Sequence, residues 1–267
     1  MTTPELEGTR PAAVAGRFYP DDPGELRQMV DAMLAQVPPV TGPVPKAIIA
    51  PHAGYVFSGP IAASAYAPLA PARQSLRRII LLGPSHRSRF FGLATVSFAA
   101  FDTPLGAVPV DAPALALAES FPQVAVLDSA HAGEHALEVQ LPFLQVVLGH
   151  FAIAPFLAGE TQPEEISQVL EALWGGPETC IVVSSDLSHY QPPALARQLD
   201  RATANAIEAL APDAVGEQDA CGRGPIRGLL QAARHRGLTA RTLDLRNSGD
   251  TGGPRHEVVG YGAFAFS

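Results

Sequence analysis

The chain has 267 residues, 47% hydrophobic and only 16% charged, so it can bury a large α/β core and is poorly suited to disorder. Its formal charge of −8 disfavours nucleic-acid phosphates and anionic lipid surfaces as partners. Two cysteines cannot form a disulfide framework and suit a reducing compartment, and MTTPELEGTRPAAV lacks the basic and apolar runs of a secretory signal, so a cytoplasmic location is expected.

The first predicted helix begins at Asp22, whose side chain can cap it, with Pro23 in the first turn. Leu26, Met29, Val30, Met33, Leu34 and Val37 form an apolar stripe at helical spacing, and Pro38-Pro39 ends it. Beyond it, short apolar runs alternate with amphipathic segments, the pattern of a largely parallel sheet covered by helices. Buried strands are expected at 46–50, 78–82, 93–98, 151–157, 179–184, 238–245 and 258–266. Helices are expected at 59–69, 112–120, 134–148, 163–174, 193–210 and 225–236. The last strand ends in the alternating YGAFAF and reads as antiparallel or as an edge, so the sheet is mixed. Residues 139–159 are the most membrane-like, but Gln140, Pro142, Gln145, His150 and Pro155 interrupt them, and a helix followed by a buried strand is expected instead. No repeat or long linker divides residues 1–267, which are read as one domain.

Chemistry collects where strands end. Ala47-Ile48-Ile49-Ala50 runs into Pro51-His52, Ile79-Ile80-Leu81-Leu82 into Gly83-Pro84-Ser85-His86, and Cys180-Ile181-Val182-Val183 into Ser184-Ser185-Asp186-Leu187-Ser188-His189. If these strands are parallel neighbours, three histidines meet at the carboxyl edge of the sheet, where open α/β sheets bind ligands. Cys221, in Asp219-Ala220-Cys221-Gly222-Arg223-Gly224-Pro225, stands just ahead of a predicted helix with Arg223 nearby. That placement should lower its pKa towards the thiolate, the form that binds metal or attacks an electrophile. Cys180, inside an apolar run, is read as inert core.

Three weaker signals accompany these. His131-Ala132-Gly133-Glu134-His135 has the H-x-x-E-H spacing of inverted zinc proteases, but Gly133 argues against one helix carrying both histidines. Glu134, His135 and Glu138 are then read as facing the cleft in outer-layer, substrate-contacting or proton-transfer roles. The Gly-rich turn 247–253 lacks the lysine and helix of a P-loop and reads mainly as a connection. Tyr55, Phe57 and Tyr190 flank the site as candidate walls of an aromatic pocket, and Arg223 is a further candidate for substrate contact.

Taken in order, RPAAVAGRFYP, APHAGY, GPSH, EHALEVQLPFL, SSDLSHY, CGRGPI and the closing VVGY resemble the Memo family over residues 10–266. The resemblance implies a single α/β domain similar to class III extradiol dioxygenases, which are non-haem iron enzymes. It implies a metal bound by His52, His86 and Cys221, with Fe(II) foremost and copper or zinc compatible. It places Asp186 and His189 beside that metal; in a redox-enzyme reading His189 would be a general acid/base, oriented or kept basic by Asp186. Relatives are also associated with AMMECR-family and radical-SAM proteins. Where the dioxygenases have a carboxylate, this chain has Cys221, a softer donor, so the fold carries over and the ring-opening reaction does not follow from it. Three readings compete: a metal-dependent redox enzyme acting on a small aromatic molecule, a protein that binds a metal or an aromatic or phosphorylated ligand without turnover, and a thiol hydrolase with Cys221 as nucleophile.

Overall fold

A computed structural model describes residues 6–39 and 41–267; the first five residues of the N-terminal stretch read above lie outside it, as does Val40. The described residues form one mixed α/β unit. Its strands are β1 (Thr9–Arg10), β2 (Ala47–Ala50), β3 (Arg78–Pro84), β4 (Leu93–Thr95), β5 (Ala100–Phe101), β6 (Val108–Pro109), β7 (Val124–Val126), β8 (Ala152–Ala158), β9 (Thr179–Ser184), β10 (Ala240–Asn247) and β11 (Gly260–Phe266). Its helices are α1 (Pro23–Leu34), α2 (Tyr55–Tyr66), α3 (Ala112–Ala118), α4 (Asp128–His131), α5 (Leu141–Leu148), α6 (Pro163–Ala172), α7 (Pro193–Glu208) and α8 (Arg223–His235).

Eight strands form the main sheet in the order β10-β11-β2-β9-β3-β8-β4-β7, and β1, β5 and β6 form a small second sheet. β2, β9, β3 and β8 run parallel, while β11 pairs antiparallel with both β10 and β2. The last strand is therefore antiparallel, as its alternation suggested, but interior; β10 takes the edge. Every residue of β2 and β9 is buried, the apolar signature of strands covered on both faces. Each isoleucine there that leaves water contributes about 1.5–3 kcal/mol. α1, α2 and α5 pack on one another, with α2 against β2, β10 and β11; α6 packs on α8, which lies against β3 and β9.

Local departures from the expected elements have identifiable causes. The Asp22 side chain accepts the Glu25 amide and α1 begins at Pro23, but the helix stops at Leu34. α2 starts at Tyr55, four residues before the Gly59-Pro60 pair that reads as its beginning. The helix expected over 134–148 breaks into a turn, a short 3-10 segment at Glu138–Gln140 and α5. Glu134 causes the break, because its Oε1 accepts the amides of His135 and Ala136 and so competes with helical bonding. No helix among the described residues is long and apolar enough to cross a membrane.

Candidate metal centre

The three histidine-bearing strands are adjacent and parallel, in the order β2-β9-β3, with Ala50 level with Ser184 and Leu82 level with Val183. Their carboxyl ends therefore release His52, Asp186 and His86 at one edge of the sheet. The fourth contributor is the turn that Glu134 shapes, which carries His135. Gly83 lets that turn come close: a Cβ there would lie 2.8 Å from Leu137 Cδ2. Gly222 does the same for Cys221, since a Cβ at 222 would lie 2.6 Å from Ser185 Cβ.

His52, His86 and His135 form a cluster whose potential ligand atoms all lie within 4.8 Å of one another. The His86 and His135 rings stack with centroids 4.7 Å apart, and the His52 ring stands edge-on to both, at 5.1 and 5.4 Å. Each ring has its Nδ1 occupied. His86 Nδ1 is 3.0 Å and His135 Nδ1 3.1 Å from Glu134 Oε1, and His52 Nδ1 is 2.8 Å from Ser184 Oγ. The Nε2 atoms are left for a metal, that of His52 with the Cys221 sulfur 3.2 Å away.

For His52 the tautomer follows from counting protons. Ser184 Oγ gives its only proton to the Ala136 carbonyl at 2.6 Å and receives one from Gln140 Nε2 at 2.8 Å. Gln140 Nε2 also donates to the Pro51 carbonyl, and its Oε1 accepts the Tyr66 hydroxyl, which fixes the amide. Ser184 can then only accept from His52, whose proton sits on Nδ1 and whose lone pair is on Nε2. Burial, then the neighbouring His86 and His135, keeps His52 well below its usual pKa, so the ring is neutral as a metal ligand must be. Glu134 is ionised in spite of burial: hydrogen bonds from His135, His86 and the Ala136 amide hold it well below the usual carboxylate range. A carboxylate behind imidazole Nδ1 is the common support of metal-binding histidines.

The turn itself is held from behind. Arg10 donates to the carbonyls of His131 (2.7 Å) and Glu134 (2.5 Å) and to Glu138 Oε2 (2.7 Å). Glu138 also accepts the amides of Ala13 and Val14 and the Tyr19 hydroxyl. Both partners are fully buried, and their polar groups are met on all sides. Nothing in the sequence pattern singled out Arg10, Gln140 or Ser184, because their task is defined only by who surrounds them.

The other expected residues divide by position. Cys221 Sγ lies 3.2 Å from His52 Nε2, beside the three-imidazole cluster. Its expected thiolate character is reversed: burial, then Asp186, pushes the thiol up to about 12, and the Arg223 guanidinium lies 3.4 Å from Glu217 instead. Asp186 is buried; its Oδ1 accepts the His52 amide at 2.7 Å and its Oδ2 is 4.0 Å from His52 Nε2. Burial raises its pKa, partly opposed by that amide. His189 is half-buried and lies near enough to Asp186 and His52 to be their electrostatic neighbour. Tyr190 follows it, exposed and with a positive φ of 52°. Tyr55 does not line the site: it is buried and its hydroxyl donates to the Val139 carbonyl. Glu134 likewise has its oxygens committed to protein donors rather than open to a substrate. His135, read from sequence as an outer or substrate group, stands in the cluster itself. His131 turns away, buried, with Nε2 donating to the Ala94 carbonyl, so the inverted-protease pairing does not form. The 247–253 turn spends its amides internally: Asn247 N–H goes to Asp250, Gly249 N–H to Asn247, and Thr251 and Gly253 N–H to the Ser248 carbonyl.

Comparison with known proteins agrees with this architecture. Residues 10–265 match the family model described as Memo-like protein. The chain belongs to the Memo family. A MEMO1 family protein of Methanopyrus kandleri is 36% identical, with 96% of this chain and 98% of the relative covered. MEMO1 family proteins of Methanosarcina barkeri (36%; 95% and 98% covered) and Aquifex aeolicus (34%; 94% and 97%) are similar over nearly their full lengths. Membership of the Memo family explains why the resemblance ran through the whole chain, and the three-histidine cluster lies among the segments that carried it.

Proposed function

We propose that this Memo family chain is a metal-dependent redox enzyme acting on a small aromatic molecule. One metal ion would be held by His52, His86 and His135, with Cys221 as a further donor beside His52. The reading is supported above all by one observation: three imidazoles meet with every Nδ1 occupied, and the Nε2 of His52 meets only the Cys221 sulfur. Neutral imidazoles with a neighbouring sulfur suit Fe(II), the metal proposed, and also copper or zinc. Bound Fe(II) would supply the means to bind and activate O₂. The chain's own residues would do the rest. His189 would move a proton to or from the substrate's hydroxyl, and Asp186 would hold His52 through its main-chain amide. Association with AMMECR-family and radical-SAM partners, and a cytoplasmic location, belong to the same proposal and would be tested by co-purification from the native cell.

A second reading is favoured by the 3.2 Å approach of Cys221 to His52. If the sulfur closes a three-nitrogen, one-sulfur tetrahedron, the site binds metal without turnover. Two measurements separate the readings. Anaerobically loaded Fe(II) protein is expected to consume O₂ faster when catechol or a related aromatic is added, and His189→Ala to abolish that increase with iron retained. Metal binding at pH 7 should release one more proton from the unaltered chain than from Cys221→Ala if the sulfur is a ligand. Full proton release with no substrate-dependent O₂ uptake across an aromatic panel would replace the enzyme with the closed binding site.

A further inference from the structure

A cavity of about 860 Å³ is bounded by the start of α6, the start of α8 and the segment after β3, and Cys221 is the one residue of the metal centre on its wall. Three guanidinium groups, from Arg89, Arg223 and Arg227, face two carboxylates there, Glu160 and Glu217. In a chain of net charge −8 this local excess of positive charge sets the cavity apart. The arginines are loosely committed. Arg223 is 3.4 Å from Glu217, and Arg227 is 3.3 Å from Asp213, carboxylates that are 83% and 94% exposed. Exposed pairs of this kind contribute little and yield readily to a better acceptor. Arg89 has no ion-pair partner among the described residues. Arg227 Nε is buried with no acceptor among the described residues, and the 26% exposure of the side chain lies in its other atoms, the terminal N–H groups among them.

The backbone adds a further donor. α8 begins at Gly222 without a side-chain cap. The Arg223 amide bonds to Ala220 and the Ile226 amide to Gly222, while no acceptor among the described residues meets the Gly224 amide. Gly224 lies on the cavity wall, which makes its unpaired amide a candidate donor to a ligand there. Phe91, 83% exposed, supplies an apolar rim. The volume is that of a pocket for a small organic ligand.

We propose that this cavity is the substrate chamber of the metal centre, and that it takes an organic oxyanion. The carboxylate or phosphate group would lie on Arg227, Arg89 and the Gly224 amide, with its apolar body reaching towards Cys221. The proposal rests on the metal-enzyme reading for its place in a reaction, but not for the binding itself. Fork-shaped guanidinium donors fit a two-oxygen face, and the open helix terminus adds a dipole of the right sign.

The test uses the full chain, metal-loaded and metal-free, titrated calorimetrically with benzoate, its uncharged counterpart benzamide, and inorganic phosphate. Metal content is determined separately on each sample. Benzoate should bind saturably and benzamide about tenfold or more weaker, the effect expected of one charge-assisted hydrogen-bond set. Arg227→Gln and Arg89→Gln should each weaken benzoate about tenfold, leaving metal content and benzamide binding unchanged. Phosphate binding tighter than benzoate, and equally sensitive to both substitutions, would support the oxyanion and identify a phosphate ester as its source. Equal affinity for benzoate and benzamide would overturn the proposal. So would no saturable binding of either anion up to about 10 mM, or indifference to Arg89→Gln, whose exposed side chain cannot unfold the protein. Anion binding in a protein that takes up no metal would sink the metal reading alone, and metal uptake without anion binding would sink this one alone.

Discussion

Replacing Glu134 by glutamine keeps the shape of the side chain and changes only what its two ends can accept. Oε1 receives the amides of His135 and Ala136 at 2.8 and 3.0 Å and His86 Nδ1 at 3.0 Å, with His135 Nδ1 3.1 Å away. Oε2 receives the His86 amide at 2.7 Å. An amide side chain must turn its NH₂ towards one of these ends, and the less costly choice is Oε2, where a single donor is lost. That orientation still sets two N–H groups against each other in a site only 2% exposed. One charge-assisted hydrogen bond is worth about 1.5–3 kcal/mol, and the bonds remaining at Oε1 lose their ionic character. The net sign is set by the carboxylate's depressed pKa, which means that the donors outweigh the burial penalty in the native protein. Glu134→Gln should therefore destabilise the metal-free protein by roughly 3 kcal/mol, read by guanidinium unfolding. With two imidazoles losing a charged support, metal affinity should fall about 10–100-fold in a chelator competition. Affinity within about threefold of the unaltered chain, with unchanged stability, would refute the assignment of Glu134 as the support of His86 and His135.

Two further outcomes are expected. Arg10→Met leaves the buried Glu138 carboxyl without its cation and should cost about 3–5 kcal/mol in denaturant unfolding; a loss below about 1 kcal/mol would show that the Tyr19 hydroxyl and the two amides suffice. Burial lowers His131 to about 4 from the ordinary histidine value. Because the folded pKa is depressed, the neutral ring's contribution is complete above about pH 6.5 and is lost as pH falls from there towards 4. The loss should reach roughly 3 kcal/mol across that window, and the difference between the unaltered chain and His131→Gln measures it; parallel stability profiles would contradict this account.

The amino-acid sequence by itself determined the layers of this protein and the edge where its chemistry lies. Apolar runs such as Ala47–Ala50 and Thr179–Ser184 read as strands buried on both faces, and the histidines that follow them emerge together if those strands are neighbours. Which strands are neighbours is a long-range fact, and only the order β2-β9-β3 brought His52, Asp186 and His86 to one place. The sequence signal for His135 was ambiguous because the helix expected over 134–148 would have aimed it differently; a single carboxylate, bonding to its own following amides, breaks that helix and turns the ring inward. The thiol of Cys221 shows the same limit from the other side. A helix start and a nearby arginine argue for a thiolate, but the fold buries the sulfur beside Asp186 and sends the arginine to Glu217. Local pattern governs which residues can leave water, because periodicity is a property of the chain. The charge state and partner of a buried polar group depend on residues more than a hundred positions away, as with Arg10 and Glu138 or Ser184 and His52, and those are decided only when the tertiary structure closes.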